Sequence, residues 1–323
     1  MTTYIARMAV NALLASATLW TAAAWAWPEK PVRIIVPFTP GGTPDVTARL
    51  VGDRLSNLWK QPVVVENRAG ANGTIGIDAV AKSPPDGYTL GIGTMQSLVT
   101  AKLIGQKLPY DPDADLQPIA YVTKSPFYVV VPPSTAAGSM TELLALAKRS
   151  SAGMAYGTPG NGSPQHLAME LLQQRTGAPF MHVPYKGSAQ VLPDLVAGRL
   201  QVGFDATAMN LVRSGKLKAI AVALDERVPI TPDVPSFREQ GIGGFDIVGW
   251  FVMVAPKGLD QKIVEKVNAD VNAVLRDAAL RTRLGDAFLV PVGGSVNDAQ
   301  AHLKSQRTVL GEVIRKAGIK AEE

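Results

Sequence analysis

The stretch from Val32 to Leu50 reads VRIIVPFTPGGTPDVTARL. Val32–Val36 is a largely apolar, β-branched run. From Thr43 onward a helical stripe runs through Val46, Leu50, Val51, Leu55 and Leu58 to Trp59. Between the two, Gly41 and Gly42 let a ligand approach the backbone. Thr43 is placed as the N-cap and Pro44 at the first helical position, where a missing N–H costs nothing. Such a helix start carries free N–H groups and about half a positive charge, so it can bind an anion without Lys or Arg. The junction predicts an α/β fold with a small anion held where a strand turns into a helix.

A related stretch lies about 120 positions further on: Thr158-Pro159-Gly160-Asn161-Gly162-Ser163-Pro164-Gln165 resembles Thr39-Pro40-Gly41-Gly42-Thr43-Pro44-Asp45 with one residue inserted. Ser163 is the expected cap of the second helix. Strand-like runs at 62–66, 88–94, 127–131, 154–157, 200–204, 218–224 and 247–254 alternate with helical patterns at 74–82, 140–149, 163–176, 188–197 and 260–276. A last amphipathic helix carries Val296, Ala299, Leu303, Leu310, Val313 and Ala317 on one face. This alternation predicts mostly parallel sheets flanked by helices. The repeated loop predicts two lobes, each contributing one glycine loop to a shared cleft.

Composition narrows the function. The chain has 323 residues, 46% of them hydrophobic and 18% charged, enough apolar material for two cores. Residues 1–26 contain one charged side chain, Arg7, and end in Ala24-Trp25-Ala26. They read as a secretory signal peptide cleaved after Ala26, placing the mature chain free in a periplasm. A net charge of +5 spread among mixed signs does not describe a nucleic-acid surface. The absence of cysteine excludes disulfides, thiolate catalysis and cysteine metal sites.

Enzymatic readings find little support. The first loop lacks the Lys-Ser/Thr of a P-loop, and Gly91-Ile92-Gly93 continues Thr94-Met95-Gln96 without the third glycine of a dinucleotide site. The histidines are His166, His182 and His302, without metal-ligand spacing. Ser163 and His166 could pair as nucleophile and base, but a capping serine has its oxygen committed to backbone N–H groups. Asp205 follows a strand end, where α/β sheets bind ligands. It can face a ligand or cap the next helix. The residues leave open a binding protein, an exported enzyme acting on a small anion, or a ligand-sensing partner of a membrane receptor.

Further motifs stand in a characteristic order. They include Val65-Glu66-Asn67-Arg68-Ala69-Gly70-Ala71, Pro85-Asp86-Gly87-Tyr88-Thr89-Leu90, Leu108-Pro109-Tyr110-Asp111-Pro112, His182-Val183-Pro184-Tyr185-Lys186-Gly187 and Pro232-Asp233-Val234-Pro235. Together with both glycine loops, this set resembles the Bug-type periplasmic substrate-binding proteins of tripartite tricarboxylate transporters, over nearly all of 27–318. The resemblance implies a Venus-flytrap pair of lobes: residues 27–125 plus 249–291, and residues 126–248. Residues 292–323 would form a C-terminal helix packing across them. It implies a small carboxylate as ligand, membrane permease subunits as partner, a monomer, and no cofactor or metal. Expected ligand contacts are Phe38, Thr39, Gly41, Gly42, Thr43, Thr94 and Ser97 on one lobe, and Thr158, Gly162, Ser163, His166 and Asp205 on the other. Leu98 departs from the family by standing where a polar residue is usual. The expectation is an apolar wall there, favouring a dicarboxylate or an aromatic carboxylate such as terephthalate over citrate.

Overall fold

The computed structural model describes residues 27–185, 188–245 and 247–321. The signal-peptide reading lies outside them. In chain order the first unit runs β1 (Val32–Val36), α1 (Thr43–Trp59), β2 (Val63–Asn67), α2 (Thr74–Ala81) and β3 (Thr89–Thr94). A π-helical turn at Gln96–Thr100, α3 (Ala101–Leu103) and β4 (Leu116–Ser125) complete it. The second continues through β5 (Tyr128–Val131), α4 (Met140–Arg149), β6 (Met154–Thr158), α5 (Pro164–Thr176), β7 (Phe180–Pro184), α6 (Ser188–Val196), β8 (Val202–Phe204), α7 (Met209–Arg213) and β9 (Lys218–Val222). The chain then returns through β10 (Gly249–Pro256), α8 (Gln261–Leu275), α9 (Ala278–Asp286), β11 (Val290–Pro291) and α10 (Val296–Ala317).

Two sheets result, ordered β2-β1-β3-β10-β4-β11 and β7-β6-β8-β5-β9. From one edge the first five strands of each correspond position for position. The two glycine loops therefore leave equivalent strands, β1 and β6, and the internal repeat of the sequence is a repeat of topology. The architecture is the expected pair of α/β units, but each sheet is mixed rather than mostly parallel. β2, β1 and β3 are parallel, as are β7, β6 and β8, whereas β10 runs against β3 and β4, and β5 against β8 and β9. The reason is geometric. The parallel strands point their carboxyl ends at the space between the sheets. A strand arriving from the other sheet enters from that space and runs away from it, so it must be antiparallel to them. β5 and β10 are these arriving strands, and Ser125 pairs with Gly249 where the two crossings lie side by side.

The sequence reading placed β1, α1 and α4 to the residue but passed over β4, β7, α9, β11 and the turn after β3. β4 carries Pro118 in LQPIAYVTKS, and proline argues against a strand with neighbours on both sides. The ladder opposite β10 absorbs it through register shifts at Phe251/Val252 and Met253/Val254.

α1 buries Ala48, Val51 and Leu55 against the first sheet. Gly76 lets α2 approach the start of the first glycine loop, since a Cβ there would lie 2.7 Å from Pro37 Cα and 2.8 Å from the Arg68 carbonyl oxygen. α10 opens with a capping box from Ser295 and Asp298 and ends at Gly318, whose φ is +66°. It packs on β4 and on α5. From it Gln306 accepts the Trp250 indole N–H at 3.1 Å. His302 stacks on Tyr121 at 4.2 Å and meets Trp250 edge-on at 5.1 Å. No helix among the described residues is long and apolar enough to cross a membrane.

Two outcomes follow from this packing. Gly76→Ala forces backbone apart, so it should destabilise by about 1–3 kcal/mol, read as a lower urea midpoint. His302 is half-buried, its Nε2 is shut off from solvent without a hydrogen-bond partner among the described residues, and burial pushes its pKa from 6.5 down to about 4. The folded state therefore binds fewer protons than the unfolded chain between these values. The stability contributed by neutral His302 is complete above pH 6.5 and is lost as pH falls toward 4. Urea midpoints measured from pH 7.5 to 4.5 should fall less steeply in His302→Leu than in wild type.

Candidate ligand-binding cleft

The β1–α1 loop is shaped by a buried carboxylate. Asp45, 3% exposed, accepts the Gly41 N–H at 2.9 Å and the Arg49 Nε–H at 2.9 Å on Oδ2, and Asn67 Nδ2 at 2.8 Å on Oδ1. Asn67 Nδ2 also reaches the Phe38 carbonyl at 3.0 Å, and Arg49 Nη2 donates to Asn67 Oδ1 at 2.9 Å. Burial pushes the Asp45 pKa up, but the hydrogen bonds from Arg49, Gly41 and Asn67 outweigh it and hold the carboxyl below its usual range. Gly41 turns the chain at φ +87°. The expected cap shifts by one residue: Gly42, with φ −75° and ψ 165°, is the N-cap, so Thr43 begins the helix and Pro44 is second. A glycine cap has no side chain to bond the helix start. The N–H groups of Gly42 and Thr43 have no acceptor among the described residues.

The β6–α5 loop is more self-contained. Ser163 is the cap, accepting the His166 N–H at 3.3 Å, with Pro164 next. Gly162 N–H donates to His166 Nδ1 at 3.1 Å. Thr158 Oγ1 accepts the Gly160 N–H at 3.2 Å and lies 2.6 Å from His182 Nε2. Gln165 turns outward and donates Nε2–H to Asp205 Oδ2 at 3.0 Å, while Asp205 Oδ1 takes both the N–H and the hydroxyl of Thr207 at 2.7 Å.

A cavity of about 550 Å³ lies between the two loops. Of the expected contacts, Phe38, Thr39, Gly42, Thr43, Thr94, Ser163 and Asp205 line it. Asp205 both faces the cavity and holds the Thr207 turn. Gly41, Ser97, Thr158, Gly162 and His166 stand behind the lining. The Gly41 amide is taken by Asp45. Ser97 is fully buried and accepts the Thr94 N–H at 3.1 Å. Thr158 is fully buried against His182, and His166 is turned onto Gly162. Leu98 does not form the expected wall. It is 1% exposed and packs under Gly93, where an added Cβ would come within 2.4 Å of it.

The apolar wall exists, but from other residues: Phe38, Met95, Phe127, Trp250 and Phe251. Gln96, at the start of the π-helical turn, Asn72 and Gln165 add polar groups. Gln165 was within reach of sequence reasoning, since it follows the Ser163-Pro164 cap. Trp250 and Phe127 were not, because only the side-by-side crossings bring them to the cleft. Asp205 is the only ionisable side chain among the described lining residues, and none of those residues is Lys or Arg. An anion held here would meet only uncharged donors: backbone N–H groups, helix termini and the lining hydroxyls and amides. The Ser163–His166 pair cannot serve as nucleophile and base, because the Nδ1 lone pair is taken by Gly162 and Ser163 Oγ by the His166 amide. Among the described residues there is no cluster of ligands for a metal.

Known proteins share this arrangement. The family model described as "Tripartite tricarboxylate transporter family receptor" matches residues 47–319. The chain is 35% identical to protein BugT of Bordetella pertussis over 297 residues, covering 91% of each. The solved structure of R. palustris Rpa4515 with adipate is 35% identical, with a TM-score of 0.82 over 91% of this chain and 99% of that one. MatC from Rhodopseudomonas palustris, with bound malate, is 31% identical, with a TM-score of 0.75 over 89% and 100%. With two corresponding sheets, two glycine loops facing one cleft, and a family match across most of its length, the chain belongs to the tripartite tricarboxylate transporter receptors, which are periplasmic solute-binding proteins for small carboxylates.

Proposed function

We propose that this receptor captures a carboxylate with an apolar or aromatic body, such as a linear dicarboxylate or terephthalate, and presents it to the membrane permease subunits of its transporter. The observation that carries this reading is the pair of unpartnered N–H groups, on Gly42 and Thr43, opening into a cavity walled by Phe38, Phe127, Trp250 and Phe251. Each charge-assisted hydrogen bond to a carboxylate contributes about 1.5–3 kcal/mol, and the helix terminus adds up to about 2 kcal/mol when partly buried. Micromolar affinity requires about 8 kcal/mol, within reach once apolar contact is added. The aromatic walls favour a ligand with few hydroxyls over citrate. Adipate, bound in the Rpa4515 structure, is a linear dicarboxylate of this kind.

In this reading, lobe one comprises residues 27–125 plus 249–291 and lobe two residues 126–248. They close about the two crossings next to Ser125 and Gly249, with the last helix laid across both. Export with cleavage after Ala26 leaves Trp27 as the first residue.

Mature protein is to be screened by thermal shift against mono-, di- and tricarboxylates, aromatic carboxylates and their neutral amides. At 100 times its dissociation constant a ligand should add about 2.7 kcal/mol of stability. Adipate or terephthalate should act and their diamides should not. Equal stabilisation by acid and amide would defeat the reading. The Gly42 φ of −75° suits proline, and a Cβ there meets no atom closer than 3.6 Å. Gly42→Pro therefore deletes one donor in a folded protein, and calorimetric titration should show binding weakened by roughly tenfold or more. Ser163→Ala should weaken binding by roughly 0.5–2 kcal/mol through the lost cap.

A further inference from the structure

Behind the second glycine loop lies a buried polar cluster that does not touch the cavity. The rings of His166 and His182 stack with centroids 3.8 Å apart and planes 14° from parallel. His166 Nδ1 accepts the Gly162 N–H at 3.1 Å, so that nitrogen holds a lone pair. The ring proton then sits on Nε2, which faces Glu170 Oε1 at 3.7 Å. His182 Nε2 meets Thr158 Oγ1, which holds the Gly160 amide. The two imidazoles thus anchor Gly160 and Gly162, whose φ angles of +140° and +68° steer the chain into the Ser163 cap.

We propose that His166 and His182 are positioning residues of the second ligand loop. Neutral His166 holds Gly162 in the binding shape, and a proton placed on its Nδ1 in acid releases the loop and the ligand. This rests on the cleft being the ligand site.

The argument is one of donors and acceptors. Protonation turns Nδ1 from acceptor to donor, leaving two N–H groups facing each other. An imidazolium has no acceptor on either nitrogen, and the ring, 6% exposed and held in its stack, cannot turn the new donor away from Gly162. His182 tolerates a proton better in bonding terms, since Thr158 Oγ1 can accept from it and donate to the Gly160 carbonyl at 3.1 Å. Burial holds His182 well below the usual histidine range, at about 4, so the acceptor the loop depends on is His166 Nδ1.

Among the described residues the titratable groups facing the pair are Glu170 on α5 and Tyr156 on β6. The Tyr156 ring stacks on His182 at 5.2 Å, and its hydroxyl donates to Glu170 Oε1 at 3.3 Å. α10, packed on the other side of α5, meets it through the Val313 carbonyl and Gln174. Burial raises the Glu170 pKa, but the hydrogen-bonding groups of His166 and Tyr156 outweigh this and hold the carboxyl below its usual range. Glu170 thus presents its carboxylate to the Nε2 side of the ring, leaving Nδ1 to Gly162.

The test reads the loop directly in ¹⁵N-labelled protein without ligand. At pH 8, imidazole spectra should show His166 as the Nε2–H tautomer, with the Gly162 amide protected from exchange. Corrected for intrinsic exchange, that protection should drop by roughly tenfold or more as His166 titrates, the scale of one hydrogen bond. In His166→Asn, whose Oδ1 can replace Nδ1 as a non-titrating acceptor, protection should persist through the same pH range. An Nδ1–H tautomer at pH 8, unchanged Gly162 protection through the titration, or an Asn variant that follows wild type would each overturn the proposal. A second arm titrates adipate calorimetrically at pH 8 and pH 5.5. Wild-type affinity should fall roughly tenfold further than that of His166→Asn, with adipate's own protonation common to both proteins. An equal fall in both counts against the proposal. Failure of adipate to bind either protein at pH 8 counts against the functional reading, and the exchange arm still decides the loop.

Discussion

The site depends on one buried carboxylate. Asp45 takes the Gly41 amide, the Arg49 guanidinium and the Asn67 amide. These bonds fix the turn at Gly41, and the turn determines which N–H groups of the helix start stay free. A buried charge of this kind is tolerable only when its lone pairs are satisfied, and here the partners come from the loop, from α1 and from the end of β2. The carboxylate therefore ties β1, α1 and β2 together at the edge of the cleft. By occupying Gly41 it leaves the N–H groups of Gly42 and Thr43 open to the cleft, where we propose that a carboxylate binds. An acidic residue thus shapes an anion site without facing the anion.

The two glycine loops are equivalent in topology and different in chemistry. The first leaves donors open. The second uses most of its own: Gly160 and Gly162 are bound to Thr158 and His166, and its helix start is capped by Ser163. Its outward groups are Gln165 and, from the neighbouring strand end, Asp205. One lobe is thus suited to hold a carboxylate by backbone dipoles and the other to read the rest of the molecule. With no Lys or Arg among the described lining residues, the proposed binding rests on uncharged donors and apolar contact. Such binding is less sensitive to ionic strength than an exposed ion pair.

Much of this was legible in the chain. VRIIVPFTPGG followed by a helical stripe specifies β1, the turn and α1, because each rests on local rules: β-branched periodicity, glycine freedom and a proline near the helix start. The second loop was found by likeness to the first, and Ser163 was identified as a cap from its neighbours alone. Errors arose where a residue's role depends on a distant partner. Thr43 yielded the cap to Gly42 once Asp45 had fixed Gly41. Leu98 stood beside a plausible site residue yet points beneath Gly93 into the core. β4 was hidden by Pro118, which the ladder with β10 accommodates.

The sequence by itself determined the α/β class, the pair of glycine loops and a helix start with free N–H groups, because these follow from interactions within about ten residues of chain. It also determined the family, through motifs standing in order from end to end. Tertiary structure decided the direction of the strands that cross between sheets, since a strand entering from the cleft must run against those that point into it. It decided that His166 faces Gly162 rather than the ligand, through the stack with His182. The aromatic wall was also its work: Phe127 and Trp250 lie far apart in sequence and meet at the cavity because Ser125 pairs with Gly249. No local pattern encodes that pairing, which is set by burial of both crossings between two cores.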